Sequence, residues 1–343
     1  MNDNNSEKTI IIAEAGVNHN GSYDLARRMV LAAKEAGADY VKFQTAVPEL
    51  VISVYAPKAE YQKETTGAEQ SQLDMCRAIH LPLTDYAPLA DLCREVGIGF
   101  MSTPFDLVSI DTLAPLGMDY WKIPSGEITN LPYLRKIGAR GERVILSTGM
   151  STLDEVRRAV EVLEQAGTPR SSVWLLHCTT QYPTPMEAVN LRAMDALATL
   201  GCAGVGYSDH TLGYEVCVAA VARGARVIEK HFTLDRTLPG PDHRASLEPD
   251  ELRDMVSAVR NIERALGSGV KAVAEAERPN IAVARKSIVA ARHIAAGEPY
   301  TEENITVKRP GDGVSPMLWD TVLGHSAPCD LLPDQPIPPL ENI

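Results

Sequence analysis

Two histidines raise the first chemical question in this chain. They lie in Gly206-Tyr207-Ser208-Asp209-His210-Thr211 and Ile228-Glu229-Lys230-His231-Phe232-Thr233. Each stretch reads as the end of a buried strand that hands an imidazole to a loop. Residues 212–226 between them read as one helix. A strand–helix–strand unit sets the ends of its two parallel strands side by side. The imidazoles therefore arrive at one rim. A lone histidine there is ordinarily structural, whereas a converging pair is a candidate divalent-metal site. Both readings stay open on these residues alone.

Other strand ends carry further polar groups. Glu14 follows the first candidate strand, Lys42 and Gln44 lie on the second, and Thr103 follows the third. Lys122, Ser125 and Glu127 follow the fourth, Ser147 and Thr148 the fifth, and Thr180 and Tyr182 the sixth. Lysines and hydroxyls suit a phosphate or carboxylate, with lysine acting as a point charge. Amides around Ser125-Gly126 add backbone donors. Carboxylates near a metal-held oxygen can move protons. A single Ser or Thr at a strand end is more often a turn or cap residue. Glu127 in Pro-Ser-Gly-Glu has a capping alternative as well. Lys42, at the end of an apolar run, is harder to dismiss, because an unpaired buried ammonium is costly.

The elements that must position these groups alternate along the chain. Candidate strands are 9–15, 40–44, 99–102, 120–123, 144–147, 173–177, 204–208 and 227–231. Helical patterns include 22–35, 85–96, 152–166, 213–223 and 249–266. Eight β–α units in this length predict an α/β fold, a (β/α)₈ TIM barrel, whose reacting groups cluster at the C-terminal strand ends. A doubly wound open sheet is the alternative, but no G-x-G-x-x-G follows the first strand. Residues 56–81 are too long for a simple connection, and their middle, 65–71, reads as a loop inserted over the mouth. The expected division is a barrel over 1–266, a linker over 267–284 and a small β-rich module over 285–343. So small a module is marginal alone and is expected to dock.

Bulk properties narrow the partners. The 343 residues carry 33 Lys and Arg against 45 Asp and Glu, a formal charge of −12. That balance argues against a nucleic-acid or acidic-membrane partner. The six cysteines form no C-x-x-C pair and read as reduced thiols. No signal-peptide pattern or membrane-length apolar run is evident. The expected location is cytoplasmic.

Taken together, the motifs resemble the sialic acid synthase family, the phosphoenolpyruvate-dependent nonulosonate synthases. The matching text includes Ala13-Glu14-Ala15-Gly16-Val17-Asn18-His19-Asn20-Gly21, Val41-Lys42-Phe43-Gln44 and Ser102-Thr103-Pro104-Phe105. It continues through Lys122-Ile123-Pro124-Ser125-Gly126-Glu127, Ser147-Thr148-Gly149-Met150, Tyr182-Pro183-Thr184-Pro185, both histidine stretches, Pro239-Gly240-Pro241-Asp242 and Val307-Lys308-Arg309-Pro310-Gly311. The resemblance covers nearly the whole chain, and the tail is similar to the family's antifreeze-like SAF domain.

The resemblance implies a set of roles. His210 and His231 would bind a divalent metal, Mn²⁺ first, with Mg²⁺ or Co²⁺ as alternatives. Lys122, Ser125, Ser147 and Ser208 would hold the phosphate of phosphoenolpyruvate, with Lys42 and Thr103 near its carboxylate. Gln44, Thr180, Tyr182 and Asp242 would meet an N-acylated amino sugar. Glu127 would lie beside the reacting carbons, with Glu14 as second catalytic carboxylate and a further sugar contact. Arg309 would reach the sugar's acyl group from a partner subunit in a domain-swapped homodimer. The expected acceptor is N-acetylmannosamine, giving N-acetylneuraminate and phosphate. The alternative acceptor is 2,4-diacetamido-2,4,6-trideoxymannose, used by legionaminate synthases, which the text Thr180-Gln181-Tyr182 resembles. Thr180, Gly67 and Arg285 depart from what some sialic-acid-making members carry. Two other readings remain. One is a non-catalytic ice- or glycan-binding protein. The other is a barrel synthase of 3-deoxy sugar-phosphate acids, which the appended tail disfavours.

Overall fold

The computed structural model describes residues 8–58, 62–63, 69 and 71–340. Eight strands form one parallel sheet: β1 (Ile10–Gly16), β2 (Tyr40–Thr45), β3 (Gly99–Pro104), β4 (Trp121–Ile123), β5 (Val144–Ser147), β6 (Val173–His177), β7 (Gly204–Asp209) and β8 (Val227–His231). The sheet order is β3-β2-β1-β8-β7-β6-β5-β4, and its two end strands lie against each other, so the sheet wraps into a barrel. At that seam the Ser102 amide meets the Met118 sulfur at 3.3 Å. The helices that follow the strands are α1 (Tyr23–Ala36), α2 (Tyr86–Val96), α3 (Leu107–Leu113), α4 (Leu131–Gly138), α5 (Leu153–Ala166), α6 (Ala193–Ala198), α7 (Glu215–Ala222) and α8 (Pro249–Leu266).

Local sequence explains where these helices start and what they bury. Thr152 and Glu155 close a capping box at the start of α5. Pro249 opens α8, where its missing N–H costs nothing. On α5, Val156, Ala159, Val160 and Leu163 are buried at helical spacing against the sheet.

Alternation along each strand separates two cores. Ile11, Ala13, Val41 and Phe43 face outward into the core shared with the helices. Ile12, Met101, Tyr120, Ile145, Leu176 and Val227 face inward and pack together, with Tyr40 and Trp174 against them. This apolar plug needs small neighbours. A Cβ at Gly99 would sit 2.2 Å from the Tyr40 ring, and one at Gly204 would sit 2.3 Å from Trp174. The next inward layer is polar, and it is the floor of the site.

On the outward side of β7 and β8, Lys230 and Asp209 form a fully buried ion pair at 2.8 Å. Lys230 also donates to the Thr211 carbonyl at 2.6 Å, and Asp209 accepts from the Thr211 amide at 3.0 Å. This network fixes the backbone where both histidines leave their strands.

The chain divides at Ser268/Gly269 into two units. Part of the segment expected as a linker is helical, over Arg278–Ala284. Pro279 lies in that helix's first turn, where proline starts a helix rather than breaking it. The second unit holds an antiparallel pair, β9 (Ser287–Ala290) and β10 (Ile305–Lys308), over a small core that includes Ile288, Ile305, Val322 and Leu331. Within the first unit, the expected insertion leads into a helix at Gln72–Ile79. Most of its middle, including Gly67, lies outside the described residues.

Candidate active site

The inward parity that buries Ile12 and Val227 also aims the polar groups above them. Glu14, Lys42, Thr103, Lys122, Ser147, Ser208 and Glu229 ring a cavity at the C-terminal ends of the strands. Lys42 Nζ lies 2.7 Å from Glu14 Oε2, 3.6 Å from Glu229 Oε2 and 3.0 Å from Thr103 Oγ1. Lys122 Nζ lies 3.2 Å from Glu229 Oε1, which also accepts from Ser208 Oγ at 3.0 Å. Gln44 Nε2 donates to Glu14 Oε1 at 3.1 Å. All four charged side chains are buried.

Burial and partners set different protonation tendencies. Burial raises Glu14, and Lys42 opposes it only in part. Burial also acts on Glu229, but Lys122 and Lys42 outweigh it and hold that carboxylate well below the usual range. Lys42 is desolvated, yet Glu14 and Glu229 keep it above an ordinary lysine. Lys122 has less compensation, and burial lowers it. Glu229 is the residue that strand-end reading missed. It stands two positions before His231 on β8, so the alternation that aims His231 inward aims Glu229 inward as well.

The two histidines do converge. Their ring centroids are 5.4 Å apart, and Tyr182 lies against both, at 4.1 Å from His210 and 5.6 Å from His231. His210 Nδ1 lies 2.6 Å from the Thr179 carbonyl, so Nδ1–H donates and Nε2 keeps its lone pair. His231 Nδ1 is buried without a hydrogen-bond partner. Burial holds His210 down to about 4 and His231 well below its usual range, so both rings stay neutral. Two neutral imidazoles with free lone pairs can ligate a divalent cation whose remaining positions are filled by oxygen. Among the described residues, no group of three or more His, Cys, Asp or Glu side chains is arranged as a metal site. A cation here would therefore take its other ligands from substrate or water.

The remaining expected residues are placed as follows. Ser125 and Thr180 line the same cavity, and Ser125 Oγ accepts from the Gly149 amide at 3.0 Å. Ser147 Oγ is buried with no partner, a hydroxyl free to meet a ligand. Asp242 lies 3.9 Å from His231 Nδ1, and burial first, then Glu14, raises its carboxyl to about 7. It lines a second cavity of about 250 Å³, with Val51, Ile52, Met75 and Ile79 among its apolar walls. Gln44, Phe105, Tyr182 and His231 line both cavities. Glu127 does not line either. It is half-buried in the turn Ser125–Glu127, accepting from Asn130 Nδ2 at 2.5 Å, while Asn130 caps α4. Burial raises its carboxyl. In the second unit, Arg309 is exposed and donates to the Ala284 carbonyl at 3.1 Å.

Comparison with known proteins gives this geometry a context. The sequence model of the NeuB family matches residues 29–271, and that of the SAF domain matches 285–340. An N,N'-diacetyllegionaminic acid synthase of Campylobacter jejuni is 49% identical over 321 residues, 94% of this chain and 96% of its own. One of Legionella pneumophila is 46% identical over 316 residues, 92% of this chain and 89% of its own. The crystal structure of an N-acetylneuraminic acid synthetase from Leptospira borgpetersenii superposes with a TM-score of 0.69 at 33% identity, covering 80% of this chain and 90% of that one.

The charged layer carries a pH consequence. Anion binding that needs the Lys122 ammonium falls as pH rises through its lowered pKa. Glu229→Gln removes the partner that supports that ammonium. Affinity for inorganic phosphate, followed by calorimetry from neutral to alkaline pH, is expected to fall at lower pH in the variant than in the parent. Coincident profiles would rule out the coupling.

Proposed function

The chain belongs to the NeuB family of nonulosonic acid synthases, and from that premise we propose that its acceptor is 2,4-diacetamido-2,4,6-trideoxymannose. The product of its condensation with phosphoenolpyruvate is then N,N'-diacetyllegionaminate, with release of phosphate. The observation that carries this reading is the pairing of two unlike compartments at one mouth. The ion-paired lysine and hydroxyl layer suits an anionic enolpyruvate. The apolar annex beside it suits a neutral sugar end bearing a C6 methyl and acyl methyls. The two relatives named as legionaminic acid synthases point the same way. N-acetylmannosamine, which ends in a hydroxymethyl group, is the second acceptor to test.

In the proposed reaction the methylene carbon of phosphoenolpyruvate forms a bond to the aldehyde carbon of the open-chain sugar as the carbonyl π bond opens, and the aldehyde oxygen takes a proton to become a hydroxyl of the product. The adjacent enol carbon becomes cationic. Water adds there and gives up a proton, and the tetrahedral adduct breaks its carbon–oxygen bond to phosphate, leaving the 2-keto acid. Lys122, Ser125, Ser147 and Ser208 are assigned to the phosphate, and Lys42 with Thr103 to the carboxylate. Gln44, Thr180, Tyr182 and Asp242 are assigned to the sugar. A divalent ion, Mn²⁺ first, held by His210 and His231, would polarise the aldehyde as a Lewis acid. Glu127 is assigned to stabilise the cationic carbon and take the water's proton, with Glu14 second. Its neighbours Ser125 and Gly126 line the cavity, and its own carboxyl is raised by burial. The reading also includes a homodimer in which Arg309 of one subunit meets the acyl group of a sugar held by the other.

Phosphate release from phosphoenolpyruvate tests the acceptor. Turnover is expected to favour the diacetamido sugar over N-acetylmannosamine in kcat/KM, and the reverse order would overturn the assignment. Glu127→Gln is expected to lose about 10²–10⁴ in kcat with unchanged folding; near-parental turnover would remove Glu127 from the mechanism. Dialysis against a chelator is expected to abolish activity, and Mn²⁺ to restore it. Full turnover by the chelated enzyme would exclude a metal role for the histidines.

A further inference from the structure

The annex beside the charged layer holds two polar atoms that none of the roles above employs. Gln72 is the first residue of the helix Gln72–Ile79, and its side chain lines the annex. Its amide oxygen Oε1 is buried and has no hydrogen-bond partner. A buried acceptor left without a donor is an unfavourable state that a ligand N–H or O–H relieves. His80 also lines the annex. Its Nδ1 lies 2.8 Å from the Cys76 carbonyl, so Nδ1–H donates there and Nε2 is left as an acceptor. Burial lowers its pKa, which keeps the ring neutral.

These two acceptors sit among Val51, Ile52, Met75 and Ile79. The combination selects a class of ligand. An anionic oxygen would face lone pairs and is repelled. A plain hydrocarbon would leave Gln72 Oε1 unpaired. A secondary amide satisfies both needs, since its N–H donates while its acyl methyl meets the apolar wall. The annex also adjoins the histidines through Tyr182 and His231, which line both cavities. A sugar whose aldehyde end lies beside the histidines can place its far end in the annex.

We propose that the annex is the subsite for the 4-acylamino group of the acceptor, with Gln72 Oε1 accepting its amide N–H. This inference rests on the acceptor proposed above, and Gln72 becomes a specificity-determining residue. An amide side chain can turn either its oxygen or its nitrogen to a ligand, so the test includes a carboxylate variant, assayed at alkaline pH where the ionised group can only accept.

Steady-state kinetics are compared for the parent, Gln72→Met and Gln72→Glu. The acceptors are 2,4-diacetamido-2,4,6-trideoxymannose and its analogue with hydrogen in place of the 4-acetamido group. With the diacetamido sugar, Gln72→Met is expected to lose about 10- to 100-fold in kcat/KM, mostly through KM, with the KM for phosphoenolpyruvate unchanged. With the 4-deoxy analogue, the same variant is expected to match the parent, which also shows that it is folded. Gln72→Glu keeps an acceptor oxygen, suits the first turn of a helix and is expected to retain the parental preference. An equal loss with both acceptors, no loss with either, or failure of Gln72→Glu to retain the preference would overturn the subsite. A parent enzyme that uses N-acetylmannosamine but not the diacetamido sugar would instead overturn the acceptor reading, and the subsite with it. The two failures are therefore told apart by the parent enzyme alone.

Discussion

Two ammoniums and two carboxylates buried on top of an apolar plug are the constraint around which the barrel mouth is organised. Each of these ions, taken alone out of water, costs several kcal/mol even after relaxation, about the whole margin of a folded domain. They persist because each has a partner: Lys42 lies between Glu14 and Glu229, and Lys122 lies against Glu229. The arrangement is not symmetric. Glu229 faces both lysines and remains ionised, whereas burial pushes Glu14 toward its acid form. Glu14 is thus the carboxyl that can carry a proton, and Glu229 is the fixed anion that keeps Lys122 charged. An arriving anion must compete with Glu229 for the lysines. With both carboxylates ionised the layer is neutral, so a phosphate and a carboxylate together bring more negative charge than it offsets. Hydroxyl and amide dipoles supply part of the difference. Protonation of Glu14 is a second source, and a divalent ion between the neutral imidazoles would be a third.

The alternation of a β-strand decides which residues join that layer. On β8 the order Val-Ile-Glu-Lys-His sends Val227, Glu229 and His231 inward and leaves Ile228 and Lys230 behind the sheet. The same sequence therefore builds three things at once: the plug, the charge layer and the rim. Lys230 serves the opposite face, where its pairing with Asp209 stiffens the strand ends that carry the histidines. Inserting one residue ahead of Glu229 on this strand would exchange the two faces, placing Lys230 in the site and Glu229 among the helices.

That alternation also marks how far the sequence alone could be read. The strands, the long helices and the barrel were legible because short continuous apolar runs, such as Ile10-Ile11-Ile12 and Val144-Ile145-Leu146, alternate with longer stretches at helical spacing. The histidine pair was legible from two equivalent strand ends. Glu229 was not, because attention to strand termini passes over a charged residue two positions earlier. The parity of His231 would have identified it. Glu127 illustrates a different limit. Its position after β4 suggests a cavity-facing side chain, yet the short turn Ser125–Glu127 and the cap Asn130 draw its carboxyl aside. The capping alternative in Pro-Ser-Gly-Glu signals that competition without saying which side prevails. The helical stretch Arg278–Ala284 escaped for a simpler reason, since Pro279 looks like a breaker until it is known to lie in a first turn.

The annex was illegible for a deeper reason: its walls come from β2 and the residues after it, from the helix Gln72–Ile79, and from the ends of and loops after β1, β3, β6 and β8. Only the closed barrel brings these segments together. Its chemistry nevertheless follows from the charge layer next to it. An ion-paired cradle on one side and a largely apolar annex on the other would, on the proposed reading, give the two substrates opposite preferences and so fix the direction in which they enter. The anionic partner loses its counter-ions if it takes the annex, and the sugar's methyl groups meet buried ions if it takes the cradle. Both reversed arrangements desolvate charge without compensation. On the proposed reading, orientation at the mouth would be set by mismatch as much as by fit, and the bond-forming carbons would meet where the two compartments share Tyr182 and His231.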